Sequence, residues 1–358
     1  MPLAGAHGSP CRSGEAASAL TWIRPPASEE RARLEPWCRA VGPPEIHAPP
    51  GAGDPAPVDE IAVVVWNTHV GAAEIRSLIT DLRSGGLSGG APVGQFVLLL
   101  QEVHRRGPAV PLAPSMDAAW AGRIGGRSDP VRMERDPRTD IVDLAREEGL
   151  HLLYVPSMRN GSPHDGGALE DRGNAILSTL PLEDLTAIEL PVERQRRVAV
   201  AATVEVRTEN GIPHRIRFVS AHLENRAPWT RMHRSFGATQ TNQARALVAA
   251  LERLPRVAAS AVGGDFNTWF RGGSAAALDA LRVRYPSLGM QPDGATRDLP
   301  LFLPGLRLDH LFFRLPPGWA GRYEILPDRY GSDHAPLLGW LRMDRQRQPP
   351  PHTSPVTK

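Results

Sequence analysis

Apolar residues along the chain form two kinds of pattern, which predict buried strands and amphipathic helices. The runs IAVVVW (61–66) and FVLLL (96–100) are continuously apolar, which is typical of strands buried on both faces. In the segment AAEIRSLITDLR the apolar residues recur at helical spacing instead, at Ile75, Leu78, Ile79 and Leu82. The helix predicted there ends before Gly85, a residue type that commonly follows a helix C-terminus.

Predicted strands and predicted helices alternate through the rest of the chain. Helical patterns recur at 139–149 and 241–255, and the second of these ends at Pro255. The stretches RVAVAATVEV (197–206) and RIRFVSAHL (215–223) have strand-like composition and flank a Gly-Ile-Pro turn, so they predict a β-hairpin. We therefore predict a mixed α/β core with much antiparallel pairing.

Both ends of the chain differ in composition from the centre. Residues 1–57 are rich in Pro, Gly and Ala and include VGPPEIHAPPGAGDPAP, which predicts a disordered arm or linker. Residues 344–358 are polar and rich in Pro, and we predict a disordered tail there. Residues 58–343 lie between them and are long enough for a single large domain with a sizeable core.

Charge and cysteine content restrict the class of protein. The formal net charge is +2, so no strong overall field draws the chain to nucleic acid or to a membrane, although a local basic patch is compatible with this value. Two cysteines, Cys11 and Cys38, are too few for a disulfide framework or a cysteine-rich zinc site. No apolar run reaches the ~18 residues of a membrane span, and we identify no signal peptide. We expect a monomer without stable membrane insertion, cytoplasmic by default.

Polar residues capable of chemistry follow the ends of several predicted strands. The run VAASAVGG leads into DFNT, which places Asp265 and Asn267 two positions apart and on the same side of an extended chain. One such pair predicts only a turn, because Asp, Asn and Gly favour turns. The same residue types recur at other strand ends, namely Asn67, His69, Gln101, Glu102, His222, Asp309, His310, Asp333 and His334. Their recurrence predicts a shared rim where strand ends converge to form a site.

Seven short motifs occur in the order found in one known family. They are WNTHVG, LLLQEV, RGNAILST, SAHLEN, GGDFNT, RLDHLF and GSDHAP, and the resemblance they carry covers roughly residues 61–342. On these motifs the chain closely resembles the endonuclease/exonuclease/phosphatase superfamily. The resemblance implies a four-layer αββα sandwich with two packed mixed β-sheets, and hydrolysis of phosphoester bonds with Mg²⁺ or Mn²⁺. A hard cation suits this chemistry, because it neutralises the non-bridging phosphate oxygens and the leaving group.

The resemblance also implies candidates for the metal ligands. Glu102 is the first, since the Gln-Glu pair of the superfamily has that role. Asn67 is expected to support both the metal and the phosphate. Asp333 is expected either to bind the metal from a second side or to support its ligands. His69 stands where the abasic-site endonuclease branch usually has an Asp ligand, which argues against that branch.

Other residues are assigned to proton transfer. His334 is expected to act as general base or general acid, because imidazole titrates near pH ~6.5. Asp309 is its natural partner and would fix the tautomer of the ring. Asp265 and Asn267 would position the attacking water and hold the phosphate. His222 would supply a second donor across the scissile phosphorus, either as acid or as transition-state stabiliser.

Three residues are candidates for binding the substrate. Arg197 begins the strand predicted before His222 and could contact a substrate phosphate, and Arg172 and Asn174 in the motif DRGNA are further candidates. Trp269 and Phe270 follow the Asp–Asn pair, where they would either wall a substrate pocket or pack in the core.

Two classes of function fit these observations. The first is a metal-dependent phosphoesterase, and the second is a non-catalytic binding module on the same fold. Glu102, Asp265 and His334 are all present, which favours the enzyme. Among enzymes, a nuclease acting on nucleic acid is predicted first, on the frequency of nucleases in the superfamily. A phosphodiesterase or phosphatase acting on lipid or inositol phosphate head groups is the alternative, since a fold does not set its substrate.

Overall fold

The computed structural model describes residues 15–51, 57–111, 138–160, 169–208, 211–225, 237–268, 275–286, 292–298 and 305–343. These residues form two β-sheets and the helices that cover them. The predicted tail at 344–358 lies outside the described residues, as do Trp269 and Phe270.

Strands make up most of the regular structure. They are β1 Thr21–Ile23, β2 Glu45–His47, β3 Glu60–Asn67, β4 Phe96–Arg106, β5 His151–Arg159, β6 Glu170–Ser178, β7 Glu183–Glu189, β8 Val198–Arg207, β9 Pro213–His222, β10 Ala259–Asp265, β11 Asp309–Arg314, β12 Ala320–Ile325 and β13 Leu337–Arg342. The apolar runs at 61–66 and 96–100 lie in β3 and β4, and the predicted hairpin is the antiparallel pair β8–β9.

The helices are α1 Glu15–Ser18, α2 Ser28–Arg39, α3 Ile75–Ser84, α4 Ile141–Glu147, α5 Ala238–Arg253 and α6 Ala275–Arg282. Local chemistry explains their ends. Gly85 follows α3 with a φ of 86°, a left-handed conformation that glycine adopts without steric cost. The side chain of Asp140 caps α4 by accepting from the backbone N–H groups of Val142 and Asp143. Among the helices described, none has the length and apolar character needed to cross a membrane.

The strands pair into two mixed sheets. The first has the order β1-β7-β8-β9-β10-β11, and the second has the order β12-β13-β3-β4-β6-β5-β2. Parallel pairs are β1 with β7, β3 with β4, and β9 with β10. The other neighbours run antiparallel, as the hairpin-rich sequence predicts.

Three apolar cores show how the sheets and helices stack. The central core joins inward residues of both sheets, such as Val63 and Phe218. A second core packs Leu78 of α3 against Val64 on the outer face of the second sheet. A third packs α5 and α6 on the outer face of the first sheet, with Leu247 among its members. Neighbouring residues of β3 thus enter different cores, which explains its continuous apolar run. The four-layer αββα sandwich is confirmed.

The sheets approach each other closely beside Gly263 in β10. A Cβ atom at this position would lie 2.3 Å from Val65 Cγ2 of the opposite sheet, and one at Gly264 would lie 1.8 Å from the carbonyl oxygen of Ala221. Only glycine fits these two positions. The pair brings the end of β10, and Asp265 with it, against the second sheet.

The N-terminal segment adds a strand to each sheet. β1 pairs with β7 at the edge of the first sheet, and β2 pairs with β5 at the edge of the second. Leu34 and Trp37 of α2 are buried, and Cys38 is buried and disulfide-bonded. The prediction of a disordered arm over 1–57 is therefore wrong for the described residues 15–51. The Pro and Gly content of this segment is typical of disorder, but a small number of its apolar residues reach the core.

Candidate active site

Strand ends from both sheets meet at one edge of the sandwich. In the second sheet, β3 ends beside the middle of β4, with Asn67 opposite Gln101. In the first sheet, Asp265 at the end of β10 lies between His222 of β9 and Asp309 of β11. The side-chain amide of Asn67 donates to Asp265 Oδ2 at 3.0 Å and so joins the two sheets. The strand ends converge as the sequence pattern predicts.

Glu102 lies on a β-bulge in β4. The register between β4 and β6 shifts between Leu100 and Val103, and Glu102 has a φ of 52°. A bulge re-aims a side chain, and this one brings Glu102 Oε1 to 4.0 Å from His222 Nδ1. Positive φ values are costly for residues other than glycine and cluster at functional sites. Two further candidates share this conformation, His69 (φ 48°) and Asn267 (φ 49°).

A buried hydrogen bond joins His334 to Asp309. His334 Nδ1 lies 2.7 Å from Asp309 Oδ2. The backbone N–H of Asp309 donates to Thr296 Oγ1, and that of His334 donates to Ser332 Oγ, so both partners are held in place. Burial alone lowers the pKa of His334, but the charge of Asp309 and the hydrogen bond to it outweigh burial and raise the pKa to about 9. The ring is therefore protonated at neutral pH.

Asp265 Oδ2 is the atom on which the other side chains converge. It lies 3.6 Å from His222 Nε2 and 3.9 Å from His334 Nε2. Asp265 Oδ1 accepts from the backbone N–H of Asn267 at 2.9 Å. Burial raises the pKa of Asp265, and the charge of Asp309 raises it further, to about 7. Asp265 therefore exchanges a proton near neutral pH, as a general base requires.

His222 is a neutral ring at neutral pH. Burial lowers its pKa well below the ordinary value, and positive charges lower it further, those of Arg197, His334, Arg172 and Arg297. A neutral imidazole donates one hydrogen bond from its N–H group, but it lacks the additional proton with which an imidazolium acts as a general acid. Of the two roles predicted for His222, stabilisation of the transition state is the one its environment favours.

Arg197 and Arg172 lie beside the site, and each has contacts of its own. Arg197 Nη2 lies 3.3 Å from Gln195 Oε1 and 3.5 Å from Glu224 Oε1. Arg172 Nη2 lies 3.3 Å from Met158 Sδ. Both guanidinium groups contribute to the low pKa of His222, which places their charge within range of the site. Their binding of a substrate phosphate stays a prediction.

The side-chain amides of Asn174 and Asn267 hold the backbone. Asn174 Nδ2 donates to the carbonyl oxygen of Val198 at 2.8 Å and links β6 to β8 in the opposite sheet. Asn267 Nδ2 donates to the carbonyl oxygen of Leu223 at 3.0 Å. Each amide thus commits one N–H to the scaffold. Substrate binding by Asn174, and positioning of water or phosphate by Asn267, stay predictions.

Arg297 lies at the site and was missed by the sequence analysis. Arg297 Nη2 lies 2.7 Å from Asp333 Oδ2. Asp333 Oδ1 in turn lies 3.4 Å from His69 Nδ1 and 4.0 Å from His334 Nε2. The surrounding segment, 292–298, has no apolar alternation and follows no predicted strand, so the sequence contained no signal for it. A β-bridge between Arg297 and His334 brings it to the site.

A model of the Endonuclease/Exonuclease/phosphatase family matches residues 64–334. The chain belongs to this family. The matched range begins within β3 and ends at His334, so it includes strands of both sheets and the candidate residues at their ends. Members of the family hydrolyse phosphoester bonds, and divalent-metal dependence is typical of them.

Several solved structures are similar to this chain. The endonuclease/exonuclease/phosphatase from Beutenbergia cavernae is 20% identical, with a TM-score of 0.48 and coverage of 80% of this chain and 72% of that one. A family protein from Leptotrichia buccalis is 16% identical, with a TM-score of 0.46 and coverage of 80% and 100%. D. rerio TDP2, complexed with a single strand DNA product, is 15% identical, with a TM-score of 0.43 and coverage of 80% and 100%. No curated protein matches the sequence.

The acceptor groups of the site suit the divalent cation typical of the family. Glu102, Asp265 and Asp309 are carboxylates, and Asn67 adds an amide oxygen, which is the ligand chemistry of Mg²⁺ and Mn²⁺. Asp309 Oδ1 is buried and has no hydrogen-bond partner among the described residues. Burial is the main cause of the raised pKa of Asp265, and the negative charge of Asp309 raises it further. A cation would compensate that charge, so the residues fit the metal.

Two positions within this cluster are candidates for a cation, and their surroundings differ. Asp265, Asp309 and His334 offer ligand atoms that all lie within 4.8 Å of one another. However, His334 Nδ1 is committed to Asp309, and a protonated ring does not ligate a metal. This trio is therefore better suited to proton transfer. The Glu102 carboxylate is 24% exposed and lies opposite the neutral His222, which leaves it accessible to a cation.

Proposed function

We propose that this family member is a divalent-metal-dependent phosphodiesterase that acts on nucleic acid. The observation that carries the proposal is the hydrogen bond of 2.7 Å between His334 and Asp309, which leaves a protonated Nε2 at 3.9 Å from Asp265. An acid and a base thus stand side by side in one buried site. Arg172 and Arg197 beside them favour an anionic substrate.

Glu102 and Asn67 would hold the cation in this proposal. A cation there would supply positive charge to the non-bridging oxygens of the substrate and would lower the pKa of the attacking water. Asn67 is fixed for the task by two hydrogen bonds, one from its amide to Asp265 and one from the backbone N–H of His69 to its Oδ1. The bulge in β4 fixes Glu102.

Asp265 accepts a proton from the attacking water at Oδ2. The water oxygen forms the new bond to phosphorus as the bond to the leaving oxygen breaks. His334 donates its Nε2 proton to the leaving oxygen, and Asp309 stabilises the charged ring before that transfer. His222 donates a hydrogen bond to a non-bridging oxygen, where negative charge increases in the transition state.

A substrate panel tests the proposal. The purified protein is incubated with plasmid, single-stranded DNA, RNA, sphingomyelin, inositol phosphates and a bis-aryl phosphodiester, each in Mg²⁺, in Mn²⁺ and in excess chelator. We expect cleavage of nucleic acid that is lost on chelation and lost in His334→Ala. Hydrolysis confined to sphingomyelin or inositol phosphates would show that the substrate is a lipid or inositol phosphate head group and not nucleic acid. No hydrolysis of any substrate would contradict the proposal.

A further inference from the structure

Arg297 and Asp333 form an ion pair at the open edge of the site. Their closest atoms are 2.7 Å apart, and each side chain is 33% exposed. The groups behind them are far less exposed, since the side chains of Asp265 and His334 are each 2% exposed. Arg297 therefore offers its charge to a substrate that arrives from solvent, at the entrance to the buried proton-transfer groups.

The surroundings of Asp333 do not favour a metal ion. Its carboxylate lies 2.7 Å from Arg297 Nη2, 3.4 Å from His69 Nδ1 and 4.0 Å from His334 Nε2. Arg297 is the nearest of these groups, and its guanidinium group is always positively charged in proteins. A cation beside Asp333 would be repelled by it, because like charges disfavour each other at this distance.

The backbone around Arg297 is braced from two sides. Arg297 forms β-bridges with Leu306 and with His334. Arg329 Nη1 donates to the carbonyl oxygens of Thr296 and of Asp333, which ties the two segments that carry the ion pair. Arg297 is thus held at a fixed place beside His334.

We propose that Asp333 anchors Arg297 instead of binding the metal, and that Arg297 binds an oxygen of the substrate phosphate. A guanidinium group has five N–H donors in a planar fork and binds phosphate with strong, charge-assisted hydrogen bonds. The inference rests on the proposed function for the kind of substrate. Its test uses inorganic phosphate, so that binding is measured apart from hydrolysis.

The first experiment measures the affinity for inorganic phosphate in Mg²⁺ by phosphorus NMR titration. Arg297→Met keeps most of the length of the side chain and removes its charge, and we expect phosphate affinity to fall about tenfold or more. Arg322→Met is the matched control, because Arg322 is exposed on β12 away from the site. Arg297→Lys should recover part of the loss. Equal affinities for Arg297→Met and Arg322→Met would overturn the proposal.

The second experiment measures Mn²⁺ affinity by electron paramagnetic resonance. We expect Asp333→Asn to bind Mn²⁺ within about threefold of wild type, and Glu102→Gln to bind it at least about tenfold more weakly. The effect of Arg297→Met on phosphate affinity should also shrink in the Asp333→Asn background, because the anchor is then gone. A loss of Mn²⁺ affinity in Asp333→Asn as large as in Glu102→Gln would overturn the anchoring role. Failure of the proposed function would appear separately, as a wild-type protein that hydrolyses nothing.

Discussion

The ring nitrogen Nδ1 of His334 lies 2.7 Å from Oδ2 of Asp309, although the two residues are 25 positions apart in the chain. Asp309 begins β11, and His334 lies in the loop before β13. Because Asp309 occupies Nδ1, the other ring nitrogen is the one that faces Asp265, at 3.9 Å. The contact therefore fixes both the tautomer and the direction in which His334 can donate a proton.

Substitution of either partner should impair catalysis, and the two effects should not add. We expect His334→Ala to lower kcat roughly 10²-fold or more, the usual scale for loss of a general acid. Asp309→Asn should lower kcat by no more than that, and the double variant should fall no further than His334→Ala, because the residues act as a unit. Steady-state kinetics on the best substrate of the panel measures all three.

The control for this prediction is thermal stability, since Asp309 is fully buried. A melting temperature of Asp309→Asn far below that of wild type would contradict the assignment of Asp309 and His334 as a catalytic pair. So would a double variant whose loss of kcat equals the product of the two single losses. His222 lies on β9, outside the pair, so His222→Ala combined with His334→Ala should reduce kcat further than either alone.

The pH profile of kcat/KM should be bell-shaped. Asp265 must be ionised to accept a proton, so activity rises with pH through its pKa, which is about 7 before a cation binds. His334 must be protonated to donate, so activity falls as pH rises through its pKa, which is about 9 before a cation binds. A bound cation lowers both values. Asp309→Asn should shift the basic limb to lower pH, because Asp309 raises the pKa of His334. If the basic limb of Asp309→Asn coincides with that of wild type, a group other than His334 determines the fall of activity at high pH.

The N-terminal segment should contribute to stability. Leu34 in α2 is fully buried, so Leu34→Ala should lower the free energy of unfolding by about 2–5 kcal/mol. Arg39→Ala is the matched control in the same helix, since its side chain is 64% exposed, and it should change stability little. Urea unfolding measures both. Equal stability of the two variants would mean that α2 does not pack against the domain in solution.

Gly263 should resist even a single added methyl group. Gly263→Ala would place its Cβ 2.3 Å from Val65 Cγ2, and we expect a cost of about 1–3 kcal/mol in unfolding free energy. Gly94→Ala is the control, because a Cβ there meets no atom within 4 Å. If the clash is the cause, adding Val65→Ala to Gly263→Ala should cost less than the two single losses summed. Strict additivity of the two would point to another cause.

The sequence predicted the positions of those candidate residues that end or follow a continuous apolar run. The run 61–66 leads into Asn67, and the run 96–100 leads into Glu102, so burial of the strand determines where the polar residue lies. Asp265 and His222 follow strands in the same way, and the structure places them side by side. In each case the local pattern contains the information, because the end of an apolar run is visible in the sequence without any long-range contact.

The remaining features depend on contacts between residues that are far apart in the sequence. Arg297 reaches the site through β-bridges, and no local pattern records those. The strands of the N-terminal segment are three residues each and form only because β7 and β5 offer free edges. The φ of 52° at Glu102 arises from a register shift against β6, which is a property of the pair and not of β4 alone.

Binding of a cation at Glu102 is the central claim, and the dependence of the hydrolysis rate on Mn²⁺ concentration tests it most directly. The rate is compared for wild type, Glu102→Gln and the control Glu205→Gln, whose side chain is 41% exposed at the end of β8. We expect no hydrolysis in excess chelator, a saturating rise for wild type and Glu205→Gln, and at least about tenfold more Mn²⁺ needed for half-saturation in Glu102→Gln. Full activity in chelator, or a Glu102→Gln curve that coincides with wild type, would contradict the account.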